Sequence, residues 1–417
     1  MSTMPRRVSV GKIQGILLLA TVGCVFGIWL WVRSAIDRGW ADFEKKVHAL
    51  HAEARARSGL RPVLRGEPHP GSAWEAYDEA IQATRGVKGV RALEDSLGGF
   101  PWSDPATVQA QLKLYAPALI PLRRGTQRSD GQRYRDWQHA ETPKPTGPLV
   151  YLALCQAESL AAAGKVRDAA ELALDVVQFC CDAGRNGSHE DTADADGQRR
   201  VALSVLKDLI LSRAMSGAEL SEVERELQAL EQSLPRLRES LVNSAMDQGF
   251  MFLDVGSKKS LLNSGEGKVS WRYLFSEQVL IAAAFESVLE CMRSLAAADE
   301  KPWVESREIQ KDALAELAST PNSLLKRYSG WVPAVSASLL RARREQQAQI
   351  RLLRSAAHYR AQGEILELED PFAGKLLHRS AGARLRLWSV GKDGIDDGGS
   401  GEWDTTKGQD IVLEVER

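Results

Sequence analysis

The sequence predicts a mainly α-helical protein with an N-terminal transmembrane helix, a multi-helix soluble body and a small C-terminal antiparallel β unit. Three observations lead there. Ile13 to Val32, IQGILLLATVGCVFGIWLWV, is an apolar run without a charge. Ala, Leu, Arg and Glu, all strong helix formers, dominate the middle of the chain. Beyond Glu364 the texture changes to short apolar stretches separated by Gly-bearing turns, the pattern of strands.

The chain has 417 residues, 26% of them charged, with a net charge of -1. That length holds one large core or roughly two to three ordinary ones. Nothing in the near-neutral balance points to a nucleic-acid or strongly acidic partner, and no nucleic acid is expected. The boundaries expected are a cytoplasmic tail at 1–12, an anchor at 13–32, a stalk helix and linker at 33–71, a helical domain at 72–364 and a β unit at 365–417.

As a helix, 13–32 spans roughly 30 Å, the thickness of the hydrocarbon core. Arg6, Arg7 and Lys12 flank one end and Arg33 the other, with Trp29, Trp31 and Trp40 on the exit side, where interfacial aromatics sit. The apolar core is too long for a cleaved signal, and no small-x-small site follows it. The lipid bilayer is therefore the first expected partner. Lys/Arg counts at the two ends barely discriminate, but a short tail before a long domain leaves the tail in the cytoplasm. The expected location is the inner membrane, single-pass, with the body on the periplasmic side.

The anchor runs on as a charged stalk to Gly59, with His48 and His51 expected on its surface. GLRPVLRGEPHPG, 59–71, reads as a connector. Ser72 and Glu75 form a capping box before the stripe Trp74, Tyr77, Ile81. ATVQAQLKLYAPALIPLRRG is helical and interrupted at Pro117 and Pro121; HAETPKPTGP, 139–148, is a second linker. Two helices then meet at Gly164. Leu160, Gly164, Val166, Ala169, Ala173 and Val176 fall where a tetratricopeptide repeat places its small and apolar residues, so this hairpin resembles one such repeat. No second copy follows at that period. HEDTADAD, 189–196, reads as an acidic loop before a helix. Five further helices follow, separated by the polar stretch Ser257–Ser270. The last long one is Pro333–Glu364. KLLHRS, ARLRLWSV and DIVLEVER supply the strands. Cys155, Cys180, Cys181 and Cys291 fall in apolar helical patterns, as buried free thiols do.

Catalytic motifs are missing: no H-E-x-x-H, G-x-S-x-G, C-x-x-C, G-x-x-x-x-G-K-[ST] or G-x-G-x-x-G occurs. The concentrated chemical signal is the stretch from Leu387 to Val415, with five aspartates and six glycines. Asp393, Asp397, Asp404 and Asp410 are the candidate metal ligands, because calcium takes six to eight oxygens and glycine lets carbonyls turn inward. The EF-hand pattern does not fit, since its third position would be Ile395. The competing reading is a long solvated hairpin.

EDPFAGKLLHRS, LRLWSVGKDGIDDGG and QDIVLEV together resemble the C-terminal region of the major type II secretion pseudopilins. The matching positions are Asp370, Pro371, Phe372, Gly374, Ser389, Gly391, Asp393, Gly394, Asp410 and Ile411. The resemblance covers about 65 residues and implies a calcium-binding loop that holds strands together. It departs from the family in the helical body that precedes this unit and in an anchor without the prepilin pattern. The chain is also similar to envelope proteins of myxobacteria and planctomycetes, which implies a bacterial source. The functional expectation is a membrane-anchored helical scaffold or protein-binding module of the bacterial envelope, with a protein or peptide partner and no reaction. The alternatives are a hydrolase whose site assembles from distant residues around Ser257–Ser270, and a secretion or pilus accessory protein.

Overall fold

The computed structural model of the chain describes residues 10–56, 59–86, 93–97, 104–132, 146–185, 187, 189–212, 214–257, 271–319, 332–381, 384–404 and 409–416. The described elements are mainly helical with a small antiparallel sheet at the C-terminus, as expected.

Helix α1, Val10–Ala56, is unbroken over 47 residues. Its two halves live in different surroundings. From Ile36 onward it carries a stripe of Ile36, Trp40, Phe43, Val47, Leu50 and Ala54, spaced alternately four and three residues apart, which face the rest of the protein. Such spacing keeps one seam of a helix against its neighbours. Between Val22 and Val32 the described side chains are exposed whatever direction they take, among them Phe26 (57%), Ile28 (63%) and Trp31 (69%). Among the described residues no helix is long and apolar enough to cross a membrane. The side chains of residues 10–21 and 25, part of the apolar run, lie outside the described ones.

The connector is no loose linker. Residues 59–72 are pinned to the body, with Arg61 buried. Strand β1, His69–Ser72, pairs in parallel with β2, Arg128–Asp130. Between them come α2 (Ala73–Ala83), α3 (Pro105–Tyr115), a single 3-10 turn at Ala116–Ala118, and α4 (Leu119–Thr126). The Ser72 hydroxyl accepts from the Trp74 amide and opens α2. Pro117 sits in the 3-10 turn that separates α3 from α4. Pro121 does not interrupt, because it lies in the first turn of α4, where its missing N–H costs nothing.

The expected hairpin is present as α5 (Gly147–Ala162) and α6 (Val166–Arg185), with Gly164 at φ +79° in the turn. Helix α7 begins at His189 and runs to Leu211, so 189–196 is helix and not loop. Helices α8 (Gly217–Ser233), α9 (Leu237–Ser257), α10 (Trp271–Ala298), α11 (Trp303–Ser319) and α12 (Val332–Gln362) complete the body. A capping box of Ser216 and Glu219 starts α8. Helix α12 lies against α8 and α7, α6 against α5 and α7, and α10 against α9 and α11. The second expected linker falls largely outside the described residues, as does most of Ser257–Ser270.

Strands β3 (Leu377–Ala381), β4 (Arg384–Ser389) and β5 (Ile411–Glu416) form an antiparallel sheet in the order β3-β4-β5. Its inner face is continuous with the helical core: Leu385, Leu387, Ile411, Leu413 and Val415 belong to the same buried cluster as Leu352, Leu353 and Ala356 of α12. The β unit is therefore packed into the body instead of hanging from it.

Candidate functional site

The aspartate-rich segment follows β4 and leads back to β5. Asp410, which precedes β5, is fully buried. Its carboxylate accepts from the Gly399 amide at 2.7 Å and the Asp397 amide at 3.4 Å. Burial raises the Asp410 pKa, and these two amides offset part of that rise. Asp393 accepts from the amide of Ile395, two residues on. Asp396 accepts from the Trp388 indole and the Gly398 amide. Asp397 is exposed, and Asp404 faces the cations of Arg200 and Lys207. So Asp393, Asp397, Asp404 and Asp410 are not brought into one cage. Among the described residues no three His, Cys, Asp or Glu side chains stand where one ion could be held. The carboxylates of Asp393, Asp396 and Asp410 serve their own loop's amides instead.

The glycines have an equally local reason. A Cβ on Gly401 would lie 1.7 Å from the Asp410 carbonyl oxygen, and one on Gly399 would meet the Trp388 ring at 3.1 Å. Gly399 also has φ +72°, where side chains are strained. Glycine is needed here for close approach. Melting of the protein with calcium and with chelator is expected to give the same midpoint, because an ion would first have to displace the amides from Asp410. A midpoint raised by calcium would show that it binds the native state.

Of the positions in that resemblance, Asp370, Phe372 and Ser389 meet. The Asp370 carboxylate accepts from the Phe372 amide at 2.9 Å, the Ser389 hydroxyl at 2.7 Å and the Val390 amide at 2.9 Å. It ties the DPF turn to the end of β4. Phe372 meets Trp303 of α11 edge to face, with ring centroids 5.2 Å apart. Trp303 donates from its indole to the Lys392 carbonyl at 2.8 Å, and Arg344 lies over its ring. These contacts dock the loop on the helical body.

A second polar cluster lies wholly inside. Arg61 donates from Nε and Nη2 to Asp182, the shortest contact being 2.7 Å, and both side chains have no exposed area. Tyr77 donates its hydroxyl to the same carboxylate at 2.8 Å, and Gln178 adds a bond at 3.1 Å. The remaining Arg61 protons reach the carbonyls of Pro62, Gly125 and Thr126. Burial alone would depress the guanidinium, but Asp182 and Tyr77 hold it above its ordinary value. Two turns earlier on α6, Asp175 pairs with Arg65, which also reaches Glu226 of α8. Two arginines four residues apart in the connector thus grip two aspartates seven apart on α6. At Asp182 the arrangement is closed to solvent, and it fastens the connector to α6. Sequence reasoning missed it. The available signal was a pair of aspartates within the apolar run LALDVVQFCCDAG.

The cysteines are free, and those of the body are buried. Burial pushes Cys155 up to about 12 and Cys291 up to about 11, so neither is a ready nucleophile. The expected surface pair of histidines is split: His48 is exposed, while His51 is on the packed side of α1 and buried. A cleft of about 410 Å³ lies between α1, α9 and α10. Leu50, Leu241, Leu289 and Met292 give it apolar walls, with Glu53 and Arg238 at 3.8 Å from each other on its rim. Compared with protein-family models, curated proteins and solved structures, the chain matches none.

Proposed function

We propose that this protein is a membrane-anchored helical scaffold or protein-binding module, held to a bacterial inner membrane by the first half of α1. One observation carries the reading. A single uninterrupted helix changes from an apolar segment exposed on all its described sides to a seam packed into the body, and the change occurs between Val32 and Ile36. Water is a poor solvent for Phe26, Ile28, Trp29, Leu30 and Trp31 standing together. Hydrocarbon is a good one, and Ile13–Val32 has the length to cross it. Arg33 and Asp37, an exposed ion pair at 3.2 Å, mark where the helix enters water. The cleft between α1, α9 and α10 is the surface for a protein partner, and it is built on the anchoring helix itself.

The body is placed outside the cytoplasmic membrane because long domains translocate after a short tail. The test is proteolysis of intact bacterial spheroplasts expressing the chain with an N-terminal tag. The expected outcome is that added protease removes the body and leaves the tag protected. A body that survives until the membrane is lysed would put it in the cytoplasm.

A further inference from the structure

From Pro105 to Thr126 the chain follows an almost continuous right-handed path, tightened only in the 3-10 turn between α3 and α4. Residues three or four apart on such a path share a face. Val108, Leu112, Ala118 and Leu122 turn inward and are buried. The outer face carries Lys113, Leu114, Pro117, Ile120 and Arg124, all exposed. Leu114 is 64% exposed and Ile120 70%, so both stand out from the surface. No acidic residue occurs between 105 and 126. The face is therefore an apolar ridge with a cation near each end, Arg124 being paired sideways with Glu79.

A hollow of about 290 Å³ opens between α10 and α11. That is many times the roughly 10–15 Å³ that admits one water. Its floor is apolar, with Cys291, Ala313 and Leu317 all buried. Its rim is acidic: Glu286, Glu290 and Glu316 line it and are exposed. No basic side chain lines the hollow itself. Lys46 pairs with Glu286 from α1, and Arg293 lies 3.6 Å from Glu290. Exposed pairs of this kind are weak, so the glutamates can exchange them for another cation.

We propose that the α3–α4 ridge of one copy seats in the α10–α11 hollow of a second copy. Ile120 goes to the apolar floor, and Lys113 and Arg124 go to the glutamates on the rim. An apolar centre inside a charged rim is the usual anatomy of a protein interface. The occupant is a second copy because this one chain presents both halves, matched in shape class and opposite in charge. The residues involved are not those of the cleft or of the apolar half of α1, so the proposal stands apart from the anchor reading. Ridge and hollow are different surfaces, so the contact is head to tail. Each contact leaves one ridge and one hollow free, and association continues past the dimer unless a ring closes.

Sedimentation of the full chain in detergent tests this. The parent should grow heavier with concentration at about 0.05 M salt, and less so at about 0.5 M, where exposed charges are screened. K113E/R124E reverses the ridge and E290K/E316K reverses the hollow, all four side chains being exposed. Each double variant alone should sediment as a single copy over the same range, because its reversed surface meets a like charge. I120D should act as the ridge reversal does. Mixed in equal amounts, the two double variants should associate again, since the intact hollow of one accepts the intact ridge of the other. A parent that stays single overturns the proposal, and so do variants that associate as the parent does. A mixture that stays single, while both variants keep the parent's helical circular dichroism, overturns it as well.

Discussion

Asp182→Ala is expected to lower the stability of the body by about 3–5 kcal/mol, the cost of leaving a buried charge without its partner. The partner is Arg61, which has no exposed area and no second carboxylate in its hydrogen bonds; its other acceptors are the Tyr77 hydroxyl and three carbonyls. Those carbonyls do not neutralise a guanidinium. Tyr77 and Gln178 would lose their shared acceptor at the same time. Urea unfolding of residues 33–417 measures the loss. The triple variant Arg61→Met, Tyr77→Phe, Asp182→Leu removes both charges and the hydroxyl, and it should lie well above the single variant, because an apolar set of similar volume carries no desolvation cost. If Asp182→Ala unfolds within about 1 kcal/mol of the parent, the freed guanidinium reaches water, and the network is not what fastens the connector to α6.

Phe285→Ala is expected to cost about 3–5 kcal/mol, as for other large aromatic truncations in a packed core. Phe285 is fully buried where three helices meet. It touches Phe43 of α1 edge to face, and it crowds Gly249 of α9 so closely that a Cβ there would come within 3.2 Å of its ring. The site cannot collapse easily, because Gly249 offers no side chain to move inward. The effect also has a place: α1 is the element that loses its seam. Hydrogen exchange of α1 between Ile36 and Ala54 should rise more than that of α6, which lies in another part of the core. A uniform increase across all helices would mean that α1 is not an independently loosened element.

Much of the architecture follows from local pattern. Helix α2 starts at its capping serine, α5 and α6 turn at a glycine with positive φ, and the three C-terminal strands fall on the three apolar stretches. What escaped was pairing across distance. The connector 59–71 reads as a loose Pro/Gly segment, yet Arg61 finds a partner 121 residues away. Nothing in its own composition announces that. The stalk reads as charged and surface-lying because Glu44, Lys45 and Lys46 catch the eye, while the four-and-three spacing from Ile36 to Ala54 was there to be counted. The loop of aspartates suggests an ion because side-chain spacing shows donors and not the amides already bound to them. Asp410 is occupied by Gly399 and Asp397, and Gly401 is glycine because the Asp410 carbonyl passes where its Cβ would be.

In this reading the first half of α1 is held in a bilayer and the body is fastened to it through one rigid helix. Alkaline carbonate extraction of membranes from cells expressing the full chain, alongside the chain from residue 33 onward, tests it most directly. The full chain should stay with the sedimented membranes and the shortened one should be released. Release of both would contradict the account, and retention of both would show that some other part of the molecule binds the membrane without α1.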